Sequence, residues 1–480
     1  MTSDNRYRQN HRKRLLLLTL LLGGLSLASC APGDQAEAKQ EAASQATTQT
    51  LLSPEKMRED LNCLVTILRH VHPATYRGFS DEQQAAIDAA YRGIREPTTI
   101  NAFYFIVNSV VCSLQDAHTH LWPQGGRPNR WIHAPIVWLH DGFFIQEDQG
   151  PFRQGDRIVA LGGKNIDAVY RQMRTIIPAE NEYLRKYRMV ELLQREEFLD
   201  YLGVSADDTV EMGVERAGHE LTLRVPLQPT VPHQPGQSSR RWVGHQVDPN
   251  LSLGIFHLDA CYFNDEYKRA LNAFFTEVSE KSIRNIAVDV RRNGGGDSRV
   301  INEFLRYLKI DRYRHYGGDV RYSNEVAPKA GYTRTSGYIR RKPRQIRNAK
   351  VKDAKLLFEG KLFVLTSPRT FSSGNWFAVI VKDNALGTIL GEPTGNAPSS
   401  YGDSPSFQLP HTGFRFSVSH KRWVRPNPDN DPEDALYPDI PVYTTIEDII
   451  RGADPQLEKL RALVKQGSES LSGAKREKPR

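Results

Sequence analysis

Cysteine is scarce in this 480-residue chain, with four in all: Cys30, Cys63, Cys112 and Cys261. A disulfide-built scaffold is therefore excluded. Glycine (35) and proline (28) together stay near ordinary usage and show no collagen period, so neither a collagen nor a low-complexity chain is present. Long apolar runs are missing except for one, Leu15 to Ala28, broken only by Thr19 and Ser26. Charge of one sign is only modestly in excess, 64 Lys and Arg against 56 Asp and Glu. What remains is a globular chain long enough for about three domains.

The single apolar run follows Arg6, Arg8, Arg12, Lys13 and Arg14 and ends in Leu27-Ala28-Ser29-Cys30. A basic n-region, a short apolar h-region and a terminal cysteine make an export signal over 1–29 that resembles the bacterial lipobox. That motif implies acylation of Cys30 and a membrane-anchored lipoprotein of the bacterial cell envelope, facing the periplasm or the exterior. Loss of 1–29 removes five basic residues and Asp4, lowering the net charge from +8 to about +4, so nucleic acid is not an expected partner. Cys63 and Cys112 could pair in an oxidising compartment.

Residues 30–52 are Ala, Gln, Thr and Ser without apolar periodicity and read as a flexible tether. Leu61, Leu64, Val65 and Leu68 then recur at helical spacing behind Ser53-Pro54, and Ser80 with Gln83 offers a capping box. A helical domain is expected over 53–125. Over 132–228 the pattern turns to strands and hairpins, and Gly155-Asp156-Arg157-Ile158-Val159-Ala160-Leu161-Gly162 resembles a segment of PDZ domains, interrupted by a polar helical insertion near 176–201. Over 250–465 strands alternate with helices, which predicts an α/β core with both sheet faces covered. Residues 340–355 hold eight Lys or Arg against one Asp, a solvated insertion or a groove for anions. A disordered tail is expected over 466–480.

Three segments carry chemistry. Asp289-Val290-Arg291-Arg292-Asn293-Gly294-Gly295-Gly296 places glycines between a strand and a helix, where backbone amides can approach an anion. No Gly-Lys-Ser/Thr follows, so an oxyanion hole is preferred to a nucleotide loop. Leu365 to Trp376 runs from an apolar strand through a polar turn to Ser372 and Ser373 at a helix start, which suits either a nucleophile or an ordinary N-cap. Asp116-Ala117-His118-Thr119-His120 suits a base with an orienting carboxylate, a buried structural histidine, or a metal pair resembling His70-Val71-His72.

Together with His72-Pro73, Thr370-Phe371-Ser372-Ser373-Gly374, Gly391-Glu392-Pro393-Thr394-Gly395 and Pro438-Asp439-Ile440, these segments resemble the tail-specific, or C-terminal processing, serine peptidases, in the tricorn-core-like branch that uses histidine. The resemblance spans most of 53–465. It implies a ClpP/crotonase-like α/β catalytic core, polypeptide substrates and no cofactor or metal. It also implies Ser372 as nucleophile, His118 as base, Glu433 (with Asp434 its rival) or Asp116 as the orienting acid, and the amides of Gly295 and Ser373 as oxyanion donors. Members with a Ser/Lys dyad carry a lysine where this chain has Ala397, and the tricorn-like branch has a serine where it has Ala117. The alternatives are an inactive PDZ-like, peptide-binding lipoprotein and a metal-dependent hydrolase.

Overall fold

Strands that read as continuous apolar runs build the centre of the molecule. In the computed structural model, which describes residues 51–122, 130–229 and 241–473, a six-stranded sheet has the order Val243–Asp248, Leu253–Leu258, Asn285–Asp289, Lys361–Thr366, Thr388–Gly391, Ile440–Pro441. The first pair is antiparallel and the rest are parallel. Alternate residues feed two separate cores. Phe256, Leu258, Ile286, Val288, Leu362 and Val364 pack under the helices Asp265–Glu280, Arg299–Leu305 and Ser373–Asp383. Leu253, Ile255, Ala287, Phe363 and Leu365 instead meet Leu460 and Val464 of the helix Pro455–Gly473. A parallel sheet covered on both faces buries every second residue to each side, which explains why no polar alternation was visible in these strands.

The helices Pro54–Val71 and Asp81–Gly93 form where their caps predict, the Ser80–Gln83 capping box is made, and a third helix, Ile100–Cys112, follows. Beyond them lies an antiparallel seven-stranded sheet, Ile136–Leu139 to His219–Pro226, interrupted by the helices Glu182–Leu192 and Glu196–Leu202. These parts are not walled off as separate domains: helix residues such as Leu61 and Phe103, sheet residues such as Ile145 and Val214, and Phe414 and Phe416 from the late chain share one apolar core. Asp60, fully buried, accepts hydrogen bonds from the Thr412 N–H and hydroxyl and the His411 N–H, tying the first helix to that late segment.

Three expectations need correction. Helix Pro455–Gly473 continues through 466–473, where a disordered tail was expected, because Leu460 and Val464 anchor it on the sheet. Cys63 and Cys112 are both free thiols, so the pairing open to them on sequence grounds is not made. The 340–355 segment is not merely solvated: Arg344–Arg347 pairs with Arg312–His315 as a ribbon. The export signal, Cys30 and the tether up to residue 50 lie outside the described residues. Among the described residues no helix is long and apolar enough to cross a membrane.

Candidate active site

Three neighbouring parallel strands end at Asp289, Thr366 and Gly391, and the turns that follow converge. In an open parallel sheet the carboxyl ends are where functional loops gather. The first turn brings Gly295, the second Ser372 and the third Asn396. Their packing is tight. The Phe371 N–H donates to the Asn293 carbonyl at 2.9 Å, Thr370 Oγ1 to the Val290 carbonyl at 2.9 Å, and Ser373 Oγ to the Gly296 carbonyl at 2.7 Å. A Cβ on Gly374 would lie 2.7 Å from the Asn293 carbonyl oxygen, so this position excludes any side chain.

Ser372 occupies φ +52°, ψ −126°, a region that costs a non-glycine residue about 1–3 kcal/mol and persists only where the surroundings impose it. Its N–H donates to Asn396 Oδ1 at 3.0 Å. This turn aims Ser372 away from the start of the helix Ser373–Asp383, and its side chain makes no cap there. The ordinary N-cap reading of Ser372 is thereby removed. Among the described residues, Ser372 Oγ and the Ser373 N–H make no hydrogen bond.

His118 comes from the turn after the third N-terminal helix, and its ring stacks on Phe371, the residue before Ser372, at 4.5 Å between centroids. Asp116, fully buried, accepts from the His118 N–H (2.9 Å), Thr119 Oγ1 (2.6 Å) and His72 Nε2 (3.2 Å). The Ala74 N–H donates to His72 Nδ1, which leaves the His72 proton on Nε2, pointing at Asp116. Burial alone would raise Asp116, but the hydrogen bond from His72 and the imidazoles of His72 and His118 facing it outweigh this and hold the carboxyl well below its usual range. His118 Nδ1 lies 3.9 Å from Asp116 Oδ1 and has no hydrogen-bond partner. Burial lowers the His118 pKa although Asp116 pulls it the other way, so the ring is neutral at pH 7 and free to accept a proton.

The acid beside this histidine is one that sequence reasoning missed. Glu180, in the helical insertion, brings a carboxylate oxygen within 4.8 Å of the donor atoms of both Asp116 and His118. Its Oε1 accepts from Asn396 Nδ2 at 3.1 Å, while its Oε2 is buried without a partner. Burial, with the nearby Asp116 charge, raises its pKa to about 8, so it carries a proton at neutral pH. Asn396 thus links Ser372 to Glu180. Asn181 fixes the insertion by donating to the Thr394 and Asp434 carbonyls, and Arg188 lies 5.6 Å from the Phe371 centroid. An isolated Glu, far from His118 in a polar insertion, gave no sequence signal.

Asp116, His118 and Glu180 have the composition of a metal site. However, Asp116 is already satisfied by three donors, and a protonated Glu180 is a poor ligand. The group is better suited to holding a proton than a cation. The metal pair considered for His70 and His72 does not form: His72 is buried on Asp116, while His70 is directed to Glu325.

Two assigned roles are overturned. The Gly295 N–H is donated to Asn293 Oδ1 at 2.8 Å, so it is not a free oxyanion donor; at φ +103° Gly295 instead lets the backbone lie against Ser372. Glu433 is held by Arg425 at 2.6 Å, in a network with the fully buried Asp383, and makes no contact with His118. Its rival Asp434 accepts from the Tyr437 hydroxyl. Asp116 and Ser373 do lie at the site, with Ser372 and His118.

A strained serine at the mouth of a parallel α/β sheet, with a free amide behind it and a neutral, half-buried histidine alongside, defines the class of serine hydrolases. Residues 252–442, the central sheet and its turns, match the model of peptidase family S41. The matched region makes the chain a serine-type peptidase, and its substrates are polypeptides. Mature CPAF complexed with lactacystin is 14% identical and has a TM-score of 0.63, the match covering 86% of this chain and 99% of that one. Mature CPAF alone gives 14%, 0.62, 86% and 98%. The photosystem II D1 C-terminal processing protease is 18% identical with a TM-score of 0.43, over 84% of this chain and 98% of that one. At these identities the CPAF likeness shows the fold. No curated protein sequence matches the chain.

Proposed function

We propose that this chain is a lipid-anchored endopeptidase of the bacterial envelope that cleaves polypeptides with Ser372 as nucleophile and His118 as base. The observation that carries the mechanism is the joint placement of the two: Ser372 on its forced left-handed turn, and the His118 ring on the face of Phe371, one residue earlier. His118 removes the hydroxyl proton as Oγ bonds to the scissile carbonyl carbon. The oxyanion accepts from the Ser373 N–H. Collapse breaks the C–N bond, and His118 returns the proton to the leaving amine. Water then attacks the acyl-enzyme with His118 again as base, freeing Ser372 and a carboxylic product. Asp116 fixes the backbone of His118, and Glu180 lies beside the imidazole.

A fluorophosphonate probe should add one adduct, located on Ser372 by mass spectrometry, and Ser372→Ala should abolish both labelling and peptide hydrolysis. A labelled protein with its adduct on another serine, or an active Ser372→Ala variant, overturns the assignment. The anchor rests on the sequence at Leu27 to Cys30. Cys30→Ala should release the protein from the membrane fraction, and persistence there counts against lipidation.

A further inference from the structure

We infer that the groove between the basic ribbon and Trp423 is an exosite for acidic stretches of the polypeptide substrate. The groove holds about 520 Å³ and is lined by His315, Arg341, Lys342, Arg344, Lys421 and Trp423, with no Asp or Glu among its lining residues. Of these cations only Lys421 has an acidic partner, Asp403; Arg341, Lys342 and Arg344 form no ion pair among the described residues. The ribbon sets like charges directly opposite one another where Arg312 faces Arg347, and brings Arg344 across from His315. Such pairs oppose folding. Asp311 offsets the Arg312–Arg347 pair, but no acid lies along the wall of the groove, where a bound anion relieves the positive charge.

The floor of the groove leads to the reaction centre. Trp423 lies so flat on Gly318 that a Cβ there would sit 2.9 Å from its ring. The same ring packs edge-on, 4.9 Å between centroids, against Trp376 in the first turns of the helix that follows Ser372. Trp376 in turn stacks on Tyr316 at 4.0 Å. An extended segment lying on Trp423 offers its carboxylates to the arginines of one wall while contacting the scaffold of the nucleophile helix. The three unpaired cations of its wall and this connection favour a substrate polypeptide over a small anion. The inference rests on the peptidase reading for the identity of its occupant.

The test uses the full-length Ser372→Ala chain in detergent and two fluorescein-labelled peptides of equal length, one rich in Glu and one with Gln at the same positions. The Glu peptide should bind at least tenfold tighter at low salt, the preference fading as ionic strength rises. Arg341→Glu/Arg344→Glu should remove at least tenfold of that affinity. In the otherwise unmodified enzyme the same pair should leave cleavage of a short neutral peptide unchanged. Arg341→Gln/Arg344→Gln provides a milder version should the reversal fail to fold. Equal affinity for the two peptides, or binding unaffected by either double substitution, overturns the exosite. So does tight binding of a sulfated oligosaccharide where the Glu peptide does not bind. Absence of hydrolysis of any peptide by the unmodified enzyme would instead refute the peptidase mechanism, and the binding result would stand apart from it.

Discussion

Asn396→Ala removes the one side chain that joins the nucleophile turn to the acid beside His118. Asn396 is fully buried, accepts from the Ser372 N–H at 3.0 Å and donates to Glu180 at 3.1 Å. An unsatisfied, partly buried donor costs about 1–3 kcal/mol, and loss of the second hydrogen bond adds about 1 kcal/mol. The variant should therefore lose about 2–4 kcal/mol in urea unfolding, with the denaturant slope unchanged. Activity should fall further than stability suggests. The Ser372 N–H bond helps impose φ +52°, and once freed the turn relaxes toward an ordinary conformation and carries Oγ with it. A shift of about 1 Å at a reacting atom costs roughly 100-fold, so kcat for a short neutral peptide should drop by about that factor. Asn396→Asp is the informative companion. It keeps an acceptor for the Ser372 N–H and can accept from a protonated Glu180, so its activity should recover best below about pH 8. An alanine variant with parental stability and parental kcat would refute this account of the nucleophile turn.

Glu433→Gln should weaken only the hold on Arg425, costing about 1 kcal/mol while leaving kcat unchanged; a large kcat loss would restore Glu433 to the catalytic relay. Glu180 binds its proton more tightly folded than unfolded, so it contributes stability below its unfolded pKa near 4.5 that is lost as pH rises through about 8. Glu180→Gln should flatten the stability profile across that window, measured by urea unfolding at several pH values; parallel profiles would show that Glu180 is not held protonated. Gly374→Ala forces a methyl against Asn293, at an overpacking cost of about 1–3 kcal/mol, and should lower kcat by moving the residue that carries the Gly295 and Phe371 amides. Thermal unfolding with parallel kinetics checks it, and a variant with parental kcat and stability would show that the contact has slack.

Much of the scaffold was legible because local rules governed it. Caps at Ser53 and Ser80 start their helices, and the apolar runs at 253–258, 285–289 and 361–366 become parallel strands. The glycine turn and the serine turn each announced themselves, since both depend on residues adjacent in the chain. The family resemblance added His118, whose catalytic reading neither spacing nor composition could separate from a structural histidine or a metal ligand.

The sequence by itself thus determined the element order, the α/β class and the residues at the ends of the strands. Tertiary structure decided which polar groups those residues meet. The Gly295 amide is taken by Asn293, Glu433 is claimed by Arg425, and Glu180 arrives beside His118 from an insertion pinned through Asn181. Each of these depends on long-range packing, because a hydrogen-bond partner is selected by proximity in three dimensions and a buried charge by what surrounds it. The distribution of the cations at 340–355 has the same origin: their number is written in the chain, but only the ribbon and Trp423 turn them into a groove.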